Sequence, residues 1–422
     1  MTLDPVHFKA ITRLAGSISH EVDEREHREF AEVVWNEFLD PLMYEGRAVI
    51  EPLADLRRRK VDIEDAALSE DRFPTQHGLD SGTINPTTFK NGLTVDVAVA
   101  AMSSVPSDLD LHRCRTIVKA VHSNEATVHF GQDWQVDDEG YVKSRVLHVP
   151  RANRSVTVTP VVHELALYLA EVEHARGQAE LVEDLLVMDG PIYPKGLLTW
   201  ENRNQELADL LAGERTPRQV IGEYVALVES FMRRDVPVVG FVKTPMTGLL
   251  TRIVREKQGS APWVNDAAFF SQVLERGEWD ADGHYERHDD HLTFTNWFVS
   301  RGSADRAMAE GRYDLTLAFE PEAYEVTFCM VYDPRTDTVY RVEAPRAFTE
   351  DEERREALTR QVLKDVATER GPPAAVAQAD SLASISRKET VALRRALEEA
   401  LDADMDTTYN DDRWGVGSSF DL

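Results

Sequence analysis

Apolar positions recur at helical spacing in AEVVWNEFLDPLM and again in RAVIEPLADLRRRK, with dense charge between them, which predicts a helical N-terminal region over residues 1–72. From Phe73 the period shortens to that of strands. GLDSGTINP, NGLTVDVAVAAMS, EATVHFG and GYVKSRVLHVP are short runs rich in Val, Thr and aromatics, divided by turn residues such as Asn91-Gly92 and Asp138-Glu139-Gly140. TPVVHELALYLAEVEHARGQ returns to the helical period, with Leu165, Leu169 and Val172 on one stripe. DLLVMDGPIYP and VPVVGFV are apolar runs of the kind that a sheet covers on both faces, with helices between them over roughly 200–233. Residues 263–292 read as an acidic, loop-rich insertion. Beyond it, TFTNWFV, EVTFCMVYDP and DTVYRVEAP predict an antiparallel set joined by a DPRTD turn, then helices from about 349 to 403 and a flexible acidic tail over 404–422.

Antiparallel strands followed by a helix and then a helix-flanked strand form the ribonuclease H-like order of a mixed α/β sheet, and residues 73–403 are expected to make one such domain. Neither GxGxxG after a first strand nor GxxxxGK[ST] occurs, so dinucleotide and P-loop chemistry have no anchor. No run of 18 apolar residues spans a membrane, and MTLDPVHFKAITRLAG does not read as a secretory signal, so a cytoplasmic protein is expected. Cys114 and Cys329 stand far apart and offer neither a zinc knuckle nor a disulfide framework. The 75 acidic residues against 47 basic ones give a formal charge of -28, which excludes a generic polyanion-binding surface and reads as a solubility adaptation to high salt. It leaves room for a local groove, because the Debye length in molar salt is about 3 Å.

Candidate chemistry begins with two aspartates at the ends of apolar strands, Asp80 in Gly78-Leu79-Asp80-Ser81-Gly82 and Asp189 in Met188-Asp189-Gly190-Pro191. Each is followed by small residues that would let a ligand approach the backbone. If the two strands are parallel neighbours, the carboxylates lie within a few ångströms and need a divalent cation to offset their repulsion. A third carboxylate is expected from the intervening helix, where Glu164 and Glu171 share one face. The start-of-helix position favours Glu164 as the ligand, and the spacing to Asp189 leaves Glu171 open.

In that order, GLDSG with NGLTVDVAVAAM, VMDGPIYP, VVGFVKTP, VYRVEAP and GPPAAVAQADSLASISRKE resemble the blocks of the NurA nucleases, archaeal DNA end-processing enzymes, over about residues 75–400. The resemblance implies a manganese-dependent single-strand endonuclease and 5′ to 3′ exonuclease, and Mg2+ is expected as an alternative to Mn2+. It further implies a homodimer that works with the hexameric translocase HerA in double-strand-break end resection, and the acidic composition would place this member in a haloarchaeon. Asp80 and Asp189 fall on the family's two aspartates, Lys243 on its lysine, and Glu164 or Glu171 on its helix glutamate. Its tyrosine and histidine are replaced by Pro372 and Asp380, and a carboxylate at the fourth position keeps a metal site possible. The alternative reading is a non-catalytic dimeric adaptor that guides DNA to the translocase. Asp380 as a metal ligand competes with Asp380 as the N-cap of a helix in SLASISRKE.

Three further features carry bland readings. The stretch Gly283 to His291, with His284, His288 and His291, lacks metalloprotease order and reads as solvated. Arg57-Arg58-Arg59-Lys60 is either a phosphate contact or a solvated helix end. Trp414 and Phe420 lie in the tail, where a partner could hold them.

Overall fold

Two helices, α1 (Pro5–Ala15) and α2 (Glu24–Phe38), open the chain, and after them the backbone turns extended in β1 (Arg47–Pro52) and β2 (Arg58–Asp62). The computed structural model describes residues 4–15, 24–123, 125, 131, 133–149, 158–281, 284–310, 313 and 315–406. The helix expected over RAVIEPLADLRRRK is therefore corrected to two strands. β1 forms a local hairpin with Leu42–Tyr44, but its other partner and that of β2 lie more than 200 residues away, beyond the reach of the local pattern that the helical spacing reads.

The central strand is β3 (Gln76–Thr83). On one side it pairs antiparallel with β4 (Leu93–Val105), which pairs antiparallel with β5 (Arg115–Ser123), which in turn runs parallel to β6 (Val142–Val149). On the other side, after α3 (Val158–Gln178), β7 (Leu185–Asp189) runs parallel to β3; after α4 (Arg215–Arg234), β8 (Val238–Val242) runs parallel to β7. A first strand flanked by an antiparallel pair and a parallel pair is the ribonuclease H-like order. The strand β5 was not anticipated, although Thr116, Val118 and Ala120 alternate inward along it. EATVHFG, expected as a strand, lies largely outside the described residues.

The sheet continues from β8, after α5 (Asp266–Leu274), through β9 (His291–Thr295), β10 (Phe298–Ser300), β11 (Val326–Asp333) and β12 (Thr338–Pro345). β12 pairs with β8 and β11; β11 pairs with β9 and β10, and these pair with β2 and β1. The span expected as a solvated insertion instead contains α5, which buries Phe269, Phe270, Val273 and Leu274 against Trp35 of α2, Phe298 and Phe328 in a second core. Those four apolar positions recur at helical spacing, which outweighs the acidity around them. No helix among the described residues is long and apolar enough to cross a membrane.

Three helices close the domain: α6 (Glu352–Glu369), α7 (Ala374–Ala383) and α8 (Arg387–Leu401). Ser386 caps α8 in a capping box with Glu389, so Asp380 is not an N-cap; it lies inside α7, where its carbonyl accepts the Ser384 N–H. Pro372 falls in the connection between α6 and α7. Of the expected tail, residues 404–406 are tied to the sheet through Lys90 and Phe89, while Trp414 and Phe420 lie outside the described residues.

Helix α7 lies directly on β3 because that strand presents Gly78, Asp80 and Gly82 on one face. A Cβ at Gly78 would stand 2.2 Å from the Ala375 carbonyl carbon, and one at Gly82 would stand 2.6 Å from the Ala383 oxygen. The glycines of GLDSG thus serve helix packing rather than ligand approach. Gly78→Ala is expected to destabilise the fold by about 2–4 kcal/mol, because backbone on both sides must move. Urea unfolding checks this, and an unchanged midpoint would contradict the close approach.

Candidate metal centre

Parallel pairing of β7 with β3 sets Met188 opposite Leu79, which carries Asp189, at the carboxyl end of β7, up beside Asp80 inside β3. The third member comes from α7, whose contact with the glycine face of β3 brings Asp380 over Asp80. One carboxylate oxygen from each of Asp80, Asp189 and Asp380 lies within 4.8 Å of the others, with the two strand aspartates half-buried and Asp380 exposed. Lys243 follows β8, the next parallel strand, and its Nζ donates to Asp189 Oδ2 at 2.6 Å.

Burial, and then the Asp189 charge, push the Asp80 carboxyl up to about 8. Asp189 is raised by burial too, with Lys243 opposing the shift. Burial works against the Lys243 ammonium, but Asp189 outweighs it and the pKa is raised. The cluster therefore holds one carboxylate with a basic partner and another that carries its proton near neutral pH. Three hard oxygen donors from three elements, with one kept protonated by burial and by the Asp189 charge, fit a hard divalent cation in chemistry and in charge.

Glu171, rather than Glu164, is the α3 carboxylate beside this cluster. It is buried and accepts from Ser81 Oγ at 2.9 Å and from Tyr224 OH at 2.8 Å, and burial pushes it up to about 7 against those two hydrogen bonds. Glu171 nevertheless stands outside the group of three, on the α3 side of β3. Glu164, the favoured helix ligand, is corrected: it is two turns away, about 10 Å along the axis. There it accepts from Trp200 Nε1 at 2.5 Å and pairs with Arg203, while Tyr168 OH accepts the Gly196 N–H. This end of α3 thus fastens the segment that follows Pro191. Ser81 was visible in the GLDSG run without a role, and Tyr224, on a distant helix, carried no signal.

A cavity of about 500 Å³ is lined by Pro191 and Val242 among others, with the mutually paired Lys195, Asp305, Arg341 and Glu343 in its wall, and none of the three aspartates or Lys243 lines it. The Arg57–Lys60 run is largely spoken for, since Arg58 pairs with Glu32 and Arg59 grips Glu356 through both oxygens. His284 sits by Asp280 and His291 by Asp290, and no metal-holding group among the described residues includes them.

A family model described as the NurA domain matches residues 74–385. Among solved structures, the NurA nuclease from Sulfolobus solfataricus is similar at 10% identity and a TM-score of 0.47, over 95% of this chain and 98% of that one. A structure of NurA bound to dAMP and manganese is similar at 10% identity and a TM-score of 0.42, over 95% and 98% of the two chains. A structure of NurA with manganese is similar at 10% identity and a TM-score of 0.39, over 80% and 92%. No curated protein matches the sequence.

Proposed function

The chain belongs to the NurA family, and on that premise we propose that it is a divalent-metal-dependent nuclease that hydrolyses phosphodiester bonds of DNA, with Asp80, Asp189 and Asp380 as the metal ligands. The observation that carries the reading is the convergence of these three carboxylates from β3, β7 and α7 beside one lysine. Mn2+, or Mg2+ in its place, supplies Lewis acidity toward the scissile phosphate and a bound water of lowered pKa. The chain's own part is to hold the donors. Asp80 gives up its proton when a cation takes its place, Lys243 fixes the orientation of Asp189 and keeps a positive charge where phosphate charge arrives, and Glu171 anchors Ser81 next to Asp80. The finer parts of the proposal are endonucleolytic cleavage of single strands, 5′ to 3′ exonucleolytic cleavage, a homodimer, and action with a HerA-type translocase in end resection.

The non-catalytic adaptor reading rests on the replacement of the family tyrosine by Pro372 and of its histidine by Asp380. The position of Asp380 at the cluster favours turnover, because a hard carboxylate donor stands there in place of the imidazole. Two readouts on the purified protein test the proposal. Mn2+ at a hundred times its dissociation constant should stabilise the fold by about 2.7 kcal/mol in thermal unfolding, and labelled single-stranded DNA should then release nucleotides or short fragments. Stabilisation without cleavage, alone or with the translocase, would replace the nuclease with a metal-binding adaptor; neither effect would remove the metal site as well.

A further inference from the structure

Beyond Asp80, β3 outruns its neighbour. Its pairing with β7 covers Gln76–Leu79, whereas Asp80–Thr83 continue against β4 alone. The half-buried Ser81, Gly82 and Thr83 form an edge of small residues beyond the cluster; Ser81 and Thr83 alternate with Asp80 and face α3, so a DNA strand that follows this edge passes from the α7 face of the sheet to the α3 face. About 10 Å along the edge, at the strand rise of roughly 3.3 Å per residue, Thr83 Oγ1 meets the ring of His163 at 3.4 Å.

His163 stands in the second turn of α3, with Nδ1 2.9 Å from Oδ2 of Asp96 on β4. Asp96 is fully buried, and its other oxygen accepts the Val97 N–H at 2.8 Å. A buried carboxylate in an apolar sheet needs a cation to offset its desolvation, and His163 stands there. The Asp96 hydrogen bond in turn raises the His163 pKa, with burial opposing and Glu164 adding to the shift. With Nδ1 committed to Asp96 and the side chain 34% exposed, Nε2 is the ring nitrogen left for a ligand, a donor when the ring is protonated. Its neighbour Glu164 is occupied by Trp200 and Arg203, so it does not compete for that donor. On a chain of net charge -28, an imidazole whose pKa Asp96 raises, lying beyond the cluster along this edge, is suited to meet an anion.

Phosphates recur about every 3.4 Å of axis along a stacked strand and farther apart in an extended one. A strand with its scissile phosphate at the cluster thus brings a phosphate two or three positions on to His163. We propose that His163, fixed by Asp96, binds a backbone phosphate of the substrate strand two or three nucleotides from the scissile bond. This rests on the nuclease reading above and adds a subsite to it.

The test uses two substrates and one binding measurement on wild type, His163→Ala and His163→Arg. With Mn2+, His163→Ala should lower kcat/KM on a single-stranded oligonucleotide about tenfold, mainly through KM. It should leave hydrolysis of bis(p-nitrophenyl) phosphate, which has no second phosphate, unchanged. Without metal, it should weaken binding of a labelled oligonucleotide by a similar factor and reduce the slope of log affinity against log salt by about 0.7. His163→Arg, which keeps a cation, should restore most of both losses. Equal losses on the two substrates, or unaltered binding and salt slope, would overturn the subsite. If the wild type hydrolyses neither substrate, the nuclease reading falls, and the metal-free binding still decides the role of His163.

Discussion

Asp80→Asn is expected to lower Mn2+-dependent cleavage by at least about a thousandfold while making the metal-free protein more stable than wild type at pH 8. The first effect follows from the loss of a charged donor at the centre of the cluster. The second follows from linkage. Burial and Asp189 raise the Asp80 carboxyl to about 8 in the folded protein, whereas in the unfolded chain it releases its proton in the ordinary carboxylate range. Between those two values the folded state holds a proton that the unfolded state has lost, so stability falls as pH rises through the window. An amide carries no such charge, and the substitution should recover on the order of 2 kcal/mol at pH 8 and nothing near pH 3. Asp189→Asn provides the contrast. It should abolish cleavage as well, but it strands the Lys243 ammonium without its partner, so no stabilisation is expected. Thermal unfolding of the three proteins with chelator at both pH values checks this. If Asp80→Asn destabilises at pH 8, or keeps metal-dependent cleavage, the cluster is not the strained acidic site described above.

Asp189 was legible because it closes an apolar run that a parallel sheet aligns with its neighbour, whereas Asp80, expected at a strand end, lies inside β3, which continues to Thr83. The choice between Glu164 and Glu171 was not legible, since residues seven apart share a helix face. Only the overlap of α3 with β3 shows that the later residue lies level with Ser81. Asp380 was found through family resemblance, but its place inside a helix was hidden by the Ser386 cap six residues on, which reads at sequence level as a nearby helix start. The flanking glycines of Asp80 carried a stronger message than turn formation. At two residues either side of Asp80 they mark the face on which α7 lies, and so the direction from which the third carboxylate arrives. The N-terminal strands were illegible for another reason. Arg58 and Arg59 become strand residues by pairing with Thr295 and Phe294, and their charges are absorbed by Glu32 and Glu356 from elements that no local pattern brings near.

Asp380→Asn is expected to weaken Mn2+ binding about ten- to a hundredfold, with cleavage at limiting Mn2+ falling by a similar factor and recovering as the metal is raised. The substitution keeps the size of the side chain and one neutral oxygen, and removes a charge from an exposed residue whose carbonyl, not its side chain, accepts the Ser384 N–H. Its cost to α7 is small, because Asn and Asp have similar helix propensities. Metal-free stability should therefore hold, or rise slightly as repulsion of Asp80 and Asp189 is relieved. A capping or packing role predicts the opposite pattern, with a lower melting temperature in chelator and an unaltered metal titration. Isothermal titration with Mn2+, alongside unfolding in chelator, separates the two. Wild-type Mn2+ affinity in the variant would leave Asp80 and Asp189 as the only ligands among the three and remove Asp380 from the site.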